Sequence, residues 1–422
     1  MLNNLREQTR LSKTPIHDRC LIRLCLFFGM FVVSVSAHAQ TTVDVDAAVQ
    51  AALNRPEVDE QRNARLAALR AEIAADTVVP TPVLGLNHER VFGDINVGVS
   101  QFTAMVEQPF DVSPWREALR NTVPERELAL AAEDRTWRLQ AATSVREAFF
   151  RVRYEEEALA VLDSWMVSLE RTLEGIRSRH QRGDASAYEV RRIEREIELA
   201  RARRATGAAR LAEAWADLES WTDWPSRPRL VGALQPPAPT ESSDADVSLR
   251  PELARLQHLE QALDIEMQAW GSSFWRGWSA GAGYSFSRVG PSDGHGFLVT
   301  LEVPLALWNT HAAQTDRLVA RQTEIHSELV FRAGVAQREV QAARARLDAV
   351  LQALEAMPEP SQDSVLTVLA SVAFDAGEAT LIDLLDALAS EIELQLVRLE
   401  LQANARRAAI ALDRCRGLGV TP

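Results

Sequence analysis

Cysteine is nearly absent from the chain: 422 residues include three. Cys20 and Cys25 precede a predicted cleavage point, so the mature chain keeps Cys415 alone. An internal disulfide and a thiolate metal cluster are therefore excluded. The histidines of the mature chain are scattered: His88, His180, His258, His295, His311 and His326 have no ligand spacing with one another or with cysteine. No metal site and no cofactor are expected on that basis. Neither a nucleophile–base constellation nor a phosphate loop is present, which speaks against an enzyme. Positive charge is in deficit. Lys and Arg number 46 against 59 Asp and Glu, for a net charge of −13. Nucleic acid is excluded as a partner, because its phosphates need neutralising by Lys and Arg. Aromatic residues make up only 6%. Beyond the N-terminal segment no run reaches the roughly 18 apolar residues that a membrane helix requires.

Some features are strongly present. Arg19 and Arg23 precede the apolar run LCLFFGMFVVSV (24–35), which is followed by Ala37-His38-Ala39. This layout predicts a signal peptide over 1–39, with a membrane anchor helix as the alternative. No cysteine follows the cleavage point to carry a lipid. An exported chain without a membrane helix is either soluble in the periplasm or crosses a membrane by strands. Ala, Leu, Glu and Arg dominate long stretches, a bias toward long helices.

The chain also repeats itself. Arg55-Pro56-Glu57 recurs as Arg250-Pro251-Glu252, VLGLNH (83–88) aligns in pattern with GWSAGA (277–282), and MVEQPF (105–110) with TLEVPL (300–305). GDASAYEV from Gly183 matches GEATLIDL from Gly377, about 194 positions on. Spacing this constant predicts two structural repeats, 40–230 and 249–419. A linker at 231–248, rich in Pro, Ser and Asp, separates them. Each repeat reads in the same order. A helix (44–76; 252–270) is followed by two short strands, a very long helix (115–180; 310–374), the Gly motif, and a second long helix (186–222; 380–416). A helix of some 65 residues would extend about 100 Å, which implies a coiled-coil-like or tubular assembly. Met357-Pro358-Glu359-Pro360 must kink or break the second long helix.

The strands alternate with period two. Trp278, Ala280, Ala282, Tyr284 and Phe286 share one face, and Ser279, Gly281, Gly283, Ser285 and Ser287 the other. Phe297, Val299, Leu301 and Val303 oppose Thr300 and Glu302, and Phe102, Ala104 and Val106 oppose Gln101, Thr103 and Glu107. Apolar-out, polar-in strands near ten residues long fit an outer-membrane barrel. A half-buried sheet packed on helices fits the same periodicity. Two hairpins supply four strands, too few to close a barrel, so a membrane-spanning sheet here would need several chains.

Within the Gly motifs, Ser186 with Glu189 and Thr380 with Asp383 fit capping boxes. Gly183 and Gly377 suit left-handed helix C-termini. Asp386, three positions past Asp383, is not explained by capping and either lines a tunnel or sits on a solvated helix face. Trp215, Trp221 and Trp224, at the end of a helix, suit packing rather than ligand binding.

On the duplication, the strand pairs and the two motifs RHQRGDASAYEV (179–190) and VAFDAGEATLIDLLDA (372–387), the mature chain resembles the TolC family of outer-membrane efflux proteins. RPEL, the prolines of VEQPF and LEVPL, and the proline before the second Gly motif resemble its heavy-metal (cobalt–zinc–cadmium and copper/silver) branch. DVSPWRE (111–117) stands where that branch tends to have a Gly-Gly-Lys-Arg turn. The resemblance implies a mainly α fold with a small β part, assembled as a homotrimer. Its 12-stranded barrel would lie in outer-membrane lipid and continue as a periplasmic helical tunnel. It further implies a passive channel served by a periplasmic adaptor and a proton-driven (RND-type) inner-membrane pump. Gly183, Gly377, Ser186, Glu189 and Thr380 would lie at adaptor-docking tips. Asp383 and Asp386 would form acidic constriction rings, for which the first repeat offers Glu189 and Arg192. A type I protein-secretion duct uses the same fold. A soluble periplasmic coiled-coil adaptor is a reading of another class.

Overall fold

A computed structural model describes residues 42–91, 98–111, 114–237, 247, 250–270, 277–304, 312–357 and 365–418. The predicted signal peptide, most of the linker, His311, residues 112–113 and the Pro358–Pro360 stretch lie outside the described residues.

The first expected helix is in fact two, α1 (Val45–Leu53) and α2 (Pro56–Asp76), preceded by a two-residue strand β1 (Thr42–Val43). Asp44 caps α1 by accepting from the Ala47 amide at 2.8 Å. Pro56 at the first position of α2 forces Arg55 into an extended conformation, φ −68° and ψ 134°, and so divides the expected 44–76 span. Strands β2 (Val83–Val91) and β3 (Val99–Phe110) follow. The long helix expected at 115–180 also has a seam. α3 (Trp115–Asn121) meets α4 (Val123–Gln181) at buried Thr122, because Pro124 has no amide to continue the ladder. At 59 residues α4 is about 88 Å long. It turns into α5 (Ala187–Trp221), after which β4 (Arg229–Leu230) pairs in parallel with β1. That pair is too short for any periodicity to signal it.

The described elements then come in the same order again. α6 (Pro251–Trp270), β5 (Trp278–Val289) and β6 (Ser292–Glu302) lead to α7 (Ala312–Glu355), α8 (Val365–Ala376) and α9 (Leu381–Cys415). α7 ends just before Met357, as the prolines require.

The helices form a wall. α4 packs against α1, α2, α5, α6 and α9. Ion pairs run along these seams: Arg70–Glu127 at 2.6 Å, Arg151–Asp217 at 2.6 Å and Arg177–Glu194 at 2.7 Å. Such exposed pairs add little stability individually. Burial holds the wall together, in two main places. One core joins α1, α4 and α5 through Ala142, Val145, Phe149, Trp215 and Leu218, with Trp221 and Trp224 packed against it. The other lies near the Gly turns.

The four long strands make one antiparallel sheet in the order β2-β3-β5-β6. The two strand pairs β2–β3 and β5–β6 meet at β3 and β5, with Phe102 opposite Phe286 and Val106 opposite Ala282. The register puts Leu84 and Leu86, Phe102 and Val106, Tyr284 and Phe286, and Phe297, Val299 and Leu301 on one face, and that face is bare: Phe297 is 91% exposed and Val299 83%. The opposite face is tightly drawn in. Thr300 Oγ1 reaches Met105 Sδ at 3.6 Å across the glycines of β5. Glu107 and Glu302, the glutamates of VEQPF and LEVPL, both approach buried Ser279, whose single proton can serve one of them at a time. An exposed apolar face with β2 and β6 as open edges is an unfinished surface in water.

Candidate functional site at the hairpin tips

The chain reverses twice, and both reversals are built alike. At the end of α4 the Gly183 amide donates to the His180 carbonyl at 3.0 Å and the Asp184 amide to Arg179 at 2.8 Å. At the end of α8 the Gly377 amide donates to Phe374 at 3.1 Å and the Glu378 amide to Ala373 at 2.8 Å. These are Schellman caps, which need a left-handed residue at the turn. Gly183 has φ +86° and Gly377 φ +78°. A Cβ on either would meet nothing within 4 Å, so glycine is there for its backbone freedom and not for space.

Three residues on, both capping boxes are present. Ser186 Oγ accepts from the Glu189 amide at 3.2 Å, and the Ser186 amide donates to Glu189 Oε2 at 2.6 Å. Thr380 and Asp383 repeat this at 3.3 and 2.8 Å. In each box the hydroxyl also donates to the carboxylate, at 2.8 and 2.6 Å. Backbone and hydroxyl donors from Ser186 pull Glu189 below its ordinary pKa, and the Thr380 hydroxyl and amide do the same for Asp383. A depressed carboxylate stabilises above its ordinary pKa, and that stabilisation is lost as pH falls through the lower folded value. The caps should therefore hold from neutral pH down to the ordinary carboxylate range, near 4.5 and 3.8, and fray only below it. Ser186→Ala should cost about 1 kcal/mol. Faster amide exchange confined to the first turn of α5 would reveal the loss, and unchanged exchange there would refute it.

The two tips are packed together. Ile176 and Ile193 of the first hairpin share a core with Phe374, Leu381, Leu384 and Leu385 of the second. Arg179 ties them more specifically: its guanidinium lies 4.8 Å from the centroid of the Phe374 ring and donates to the Phe374 carbonyl at 3.2 Å. Sequence reasoning quoted Arg179 inside the motif without giving it a role. A cation in the last turn of α4 was the available signal.

Asp383 is engaged in its cap, whereas Asp386, one turn on, is exposed between buried Leu385 and Ala387 and has no partner among the described residues. Arg192, at the corresponding place in the first repeat, pairs with Glu196 at 3.0 Å. The second hairpin is purely acidic: from Val365 to Val397 it carries Asp375, Glu378, Asp383, Asp386, Glu391 and Glu393 and no Lys, Arg or His. Each tip also exposes one large apolar side chain at the second helical position, Tyr188 (69%) and Ile382 (53%). The sequence aligned these two residues but gave no reason to single them out.

His258 meets Glu125 at 2.8 Å and His326 meets Glu260 at 2.9 Å. Among the described residues no group of three or more His, Cys, Asp or Glu could hold a metal ion.

No family model matches the chain, and no curated protein matches it. Solved structures do. The outer-membrane channel OprN aligns with a TM-score of 0.71 at 13% identity, over 89% of this chain and 90% of that one. A membrane protein from Pseudomonas aeruginosa gives 0.69 at 21%, over 88% and 93%. The open state of the Neisseria gonorrhoeae MtrE outer membrane channel gives 0.68 at 19%, over 89% of each chain. At these identities the likeness is one of fold, and it spans nearly the whole of each chain: mainly α, with a small sheet at one end of long helical hairpins.

Proposed function

We propose that this chain is the passive exit duct of a tripartite efflux pump, set in the outer membrane of a Gram-negative bacterium with a large periplasmic part. The observation that carries this reading is the four-stranded sheet. Its apolar face is bare, its two edges are open, and helices long enough to form a periplasmic tunnel adjoin it. Lipid suits such a face, and an open edge is not tolerated in lipid, so other copies must close it. Three copies give a 12-stranded barrel above a tunnel of twelve helices. An inner-membrane RND-type proton-driven pump supplies the energy, and a periplasmic adaptor docks on the tips around Gly183 and Gly377. Exposed Tyr188 and Ile382 suit that contact. The finer reading, export of heavy-metal cations, rests on RPEL, the paired prolines and the acidic second hairpin. The in-register sheet of two hairpins favours a duct over a soluble adaptor. A type I secretion duct would share the sheet and is separated by substrate.

The test is direct. The purified chain should migrate as a heat-modifiable trimer and conduct ions in planar bilayers, and a deletion strain should become sensitive to metals or small toxic compounds. Recovery as a soluble monomer would overturn the reading. Rings of three carboxylates favour cations. Asp386→Asn should therefore lower the cation-to-anion permeability ratio severalfold without changing trimer yield. An unaltered reversal potential in a salt gradient would assign Asp386 to the solvated outside of its helix instead.

A further inference from the structure

We infer that the cavity between α2, α4, α6 and α7 binds an amphiphilic carboxylate, a molecule with an apolar body and one anionic head. This goes beyond the duct reading and rests on it only for the membrane-embedded trimer in which the site is tested. The cavity has a volume of about 500 Å³, within the usual range for small-molecule sites.

The four helices build it with one recurring pattern, an arginine followed four residues later by an aliphatic side chain. The pairs are Arg65 with Leu69, Arg126 with Leu130, Arg255 with Leu259, and Arg321 with Ile325, and all eight residues line the cavity. An i, i+4 spacing stacks the two side chains one turn apart on the same helix face. Four such pairs facing one space give it an aliphatic floor and a cationic rim. Arg126 and Arg321 are 195 positions apart, the offset that separates Arg55 from Arg250, so the duplication supplies two of the four.

The charges are unevenly matched. Glu72 and Glu133 also line the space. Arg65 meets Glu133 at 3.5 Å, Arg126 meets Glu266 at 3.3 Å, and Arg321 meets Glu324 at 2.7 Å. Arg255 is half-buried and has no hydrogen-bond or ion-pair partner among the described residues. A guanidinium partly withdrawn from water without a counter-charge is completed by a carboxylate, which it holds through two parallel hydrogen bonds. Apart from the Arg126–Glu266 pair, α6 makes its polar contacts with α4 through His258 and with α7 through Glu260, and neither engages Arg255. The leucines exclude a bare inorganic anion as the best occupant, and the arginines exclude a neutral hydrocarbon.

The probe is 11-(dansylamino)undecanoate, added to the full-length protein in nanodiscs of zwitterionic lipid. Its methyl ester has the same body without the charge and needs no variant protein. Saturable, blue-shifted fluorescence beyond that of empty discs is expected for the acid, with the ester binding at least tenfold more weakly. Arg255→Gln should weaken the acid about tenfold, the loss of one charge-assisted contact. It should leave the ester unaffected and trimer assembly intact. Equal binding of acid and ester, an Arg255→Gln protein that binds the acid as tightly as wild type, or no saturable binding to the trimer would each overturn the site. Conductance of the same preparation in planar bilayers tests the duct reading separately, so each can fail without the other.

Discussion

Cells whose only copy carries Gly377→Val should lose export completely while still making trimers. The reason is local. Gly377 sits at φ +78°, where a β-branched residue is strained by roughly 1–3 kcal/mol. There is open space around the position, so the penalty is confined to the backbone and cannot be relieved by moving a neighbour. The chain can escape only by abandoning the left-handed turn. That breaks the Gly377–Phe374 and Glu378–Ala373 hydrogen bonds and moves the Thr380 cap with them. A few kcal/mol at one turn does not unfold a wall held by two buried cores, but it re-aims the tip on which an adaptor would dock. Asparagine tolerates the same conformation, so Gly377→Asn should keep most export. Drug and metal tolerance of a complemented deletion strain, read beside trimer yield on unheated gels, decides the matter. Normal tolerance with Gly377→Val would remove the tip from the export path.

Gly283→Val should have the opposite signature: no trimer at all. A Cβ at Gly283 would stand 2.7 Å from the Ala104 carbonyl oxygen and 3.0 Å from Met105 Cβ, both on the neighbouring strand. No rotamer relieves a clash with backbone, so β3 and β5 must part where the two repeats join. The sheet would then flatten or shift register, and a one-residue slip turns its apolar set to the wrong face. Gly296→Ala on the adjacent strand is the control, because its Cβ would meet only Ser285 Cβ, at 4.0 Å. Heat-modifiable trimer in the outer-membrane fraction should vanish for the first substitution and persist for the second. Wild-type trimer yield from Gly283→Val would show that the pairing of β3 with β5 does not depend on that glycine.

Much of the fold was legible in the sequence because its signals were long. A 59-residue helix and two eight-residue motifs repeated at constant spacing leave few alternatives, and strict alternation marked the strands. What escaped was short or depended on partners distant in sequence. Pro56 and Pro124 each split a helix that the surrounding pattern ran together, although both prolines were in plain view. The β1–β4 pair is two residues long on each side. At the tips, the glycine and capping-box positions could be read from residue type alone, because each is a local device. Arg179 could not, since its contacts with Phe374 join segments 195 positions apart. The four arginine–aliphatic pairs carry no meaning until the helices bearing them converge on one space.

The small parallel pair β1–β4 has a larger consequence. Thr42 and Val43 lie beside Arg229 and Leu230, and the Val231 amide donates to the Val43 carbonyl at 2.9 Å. The segment from Thr42 to Val231 thus begins and ends at the same point in space. A segment with adjoining ends is modular: a second copy can be spliced in after it without threading through anything already folded. Tandem duplication of such a unit leaves its interior intact, so the two halves can diverge freely. The two tips of this chain are chemically unlike in that way: Arg192 pairs with Glu196 in the first, whereas exposed Asp386 stands at the corresponding place in the second.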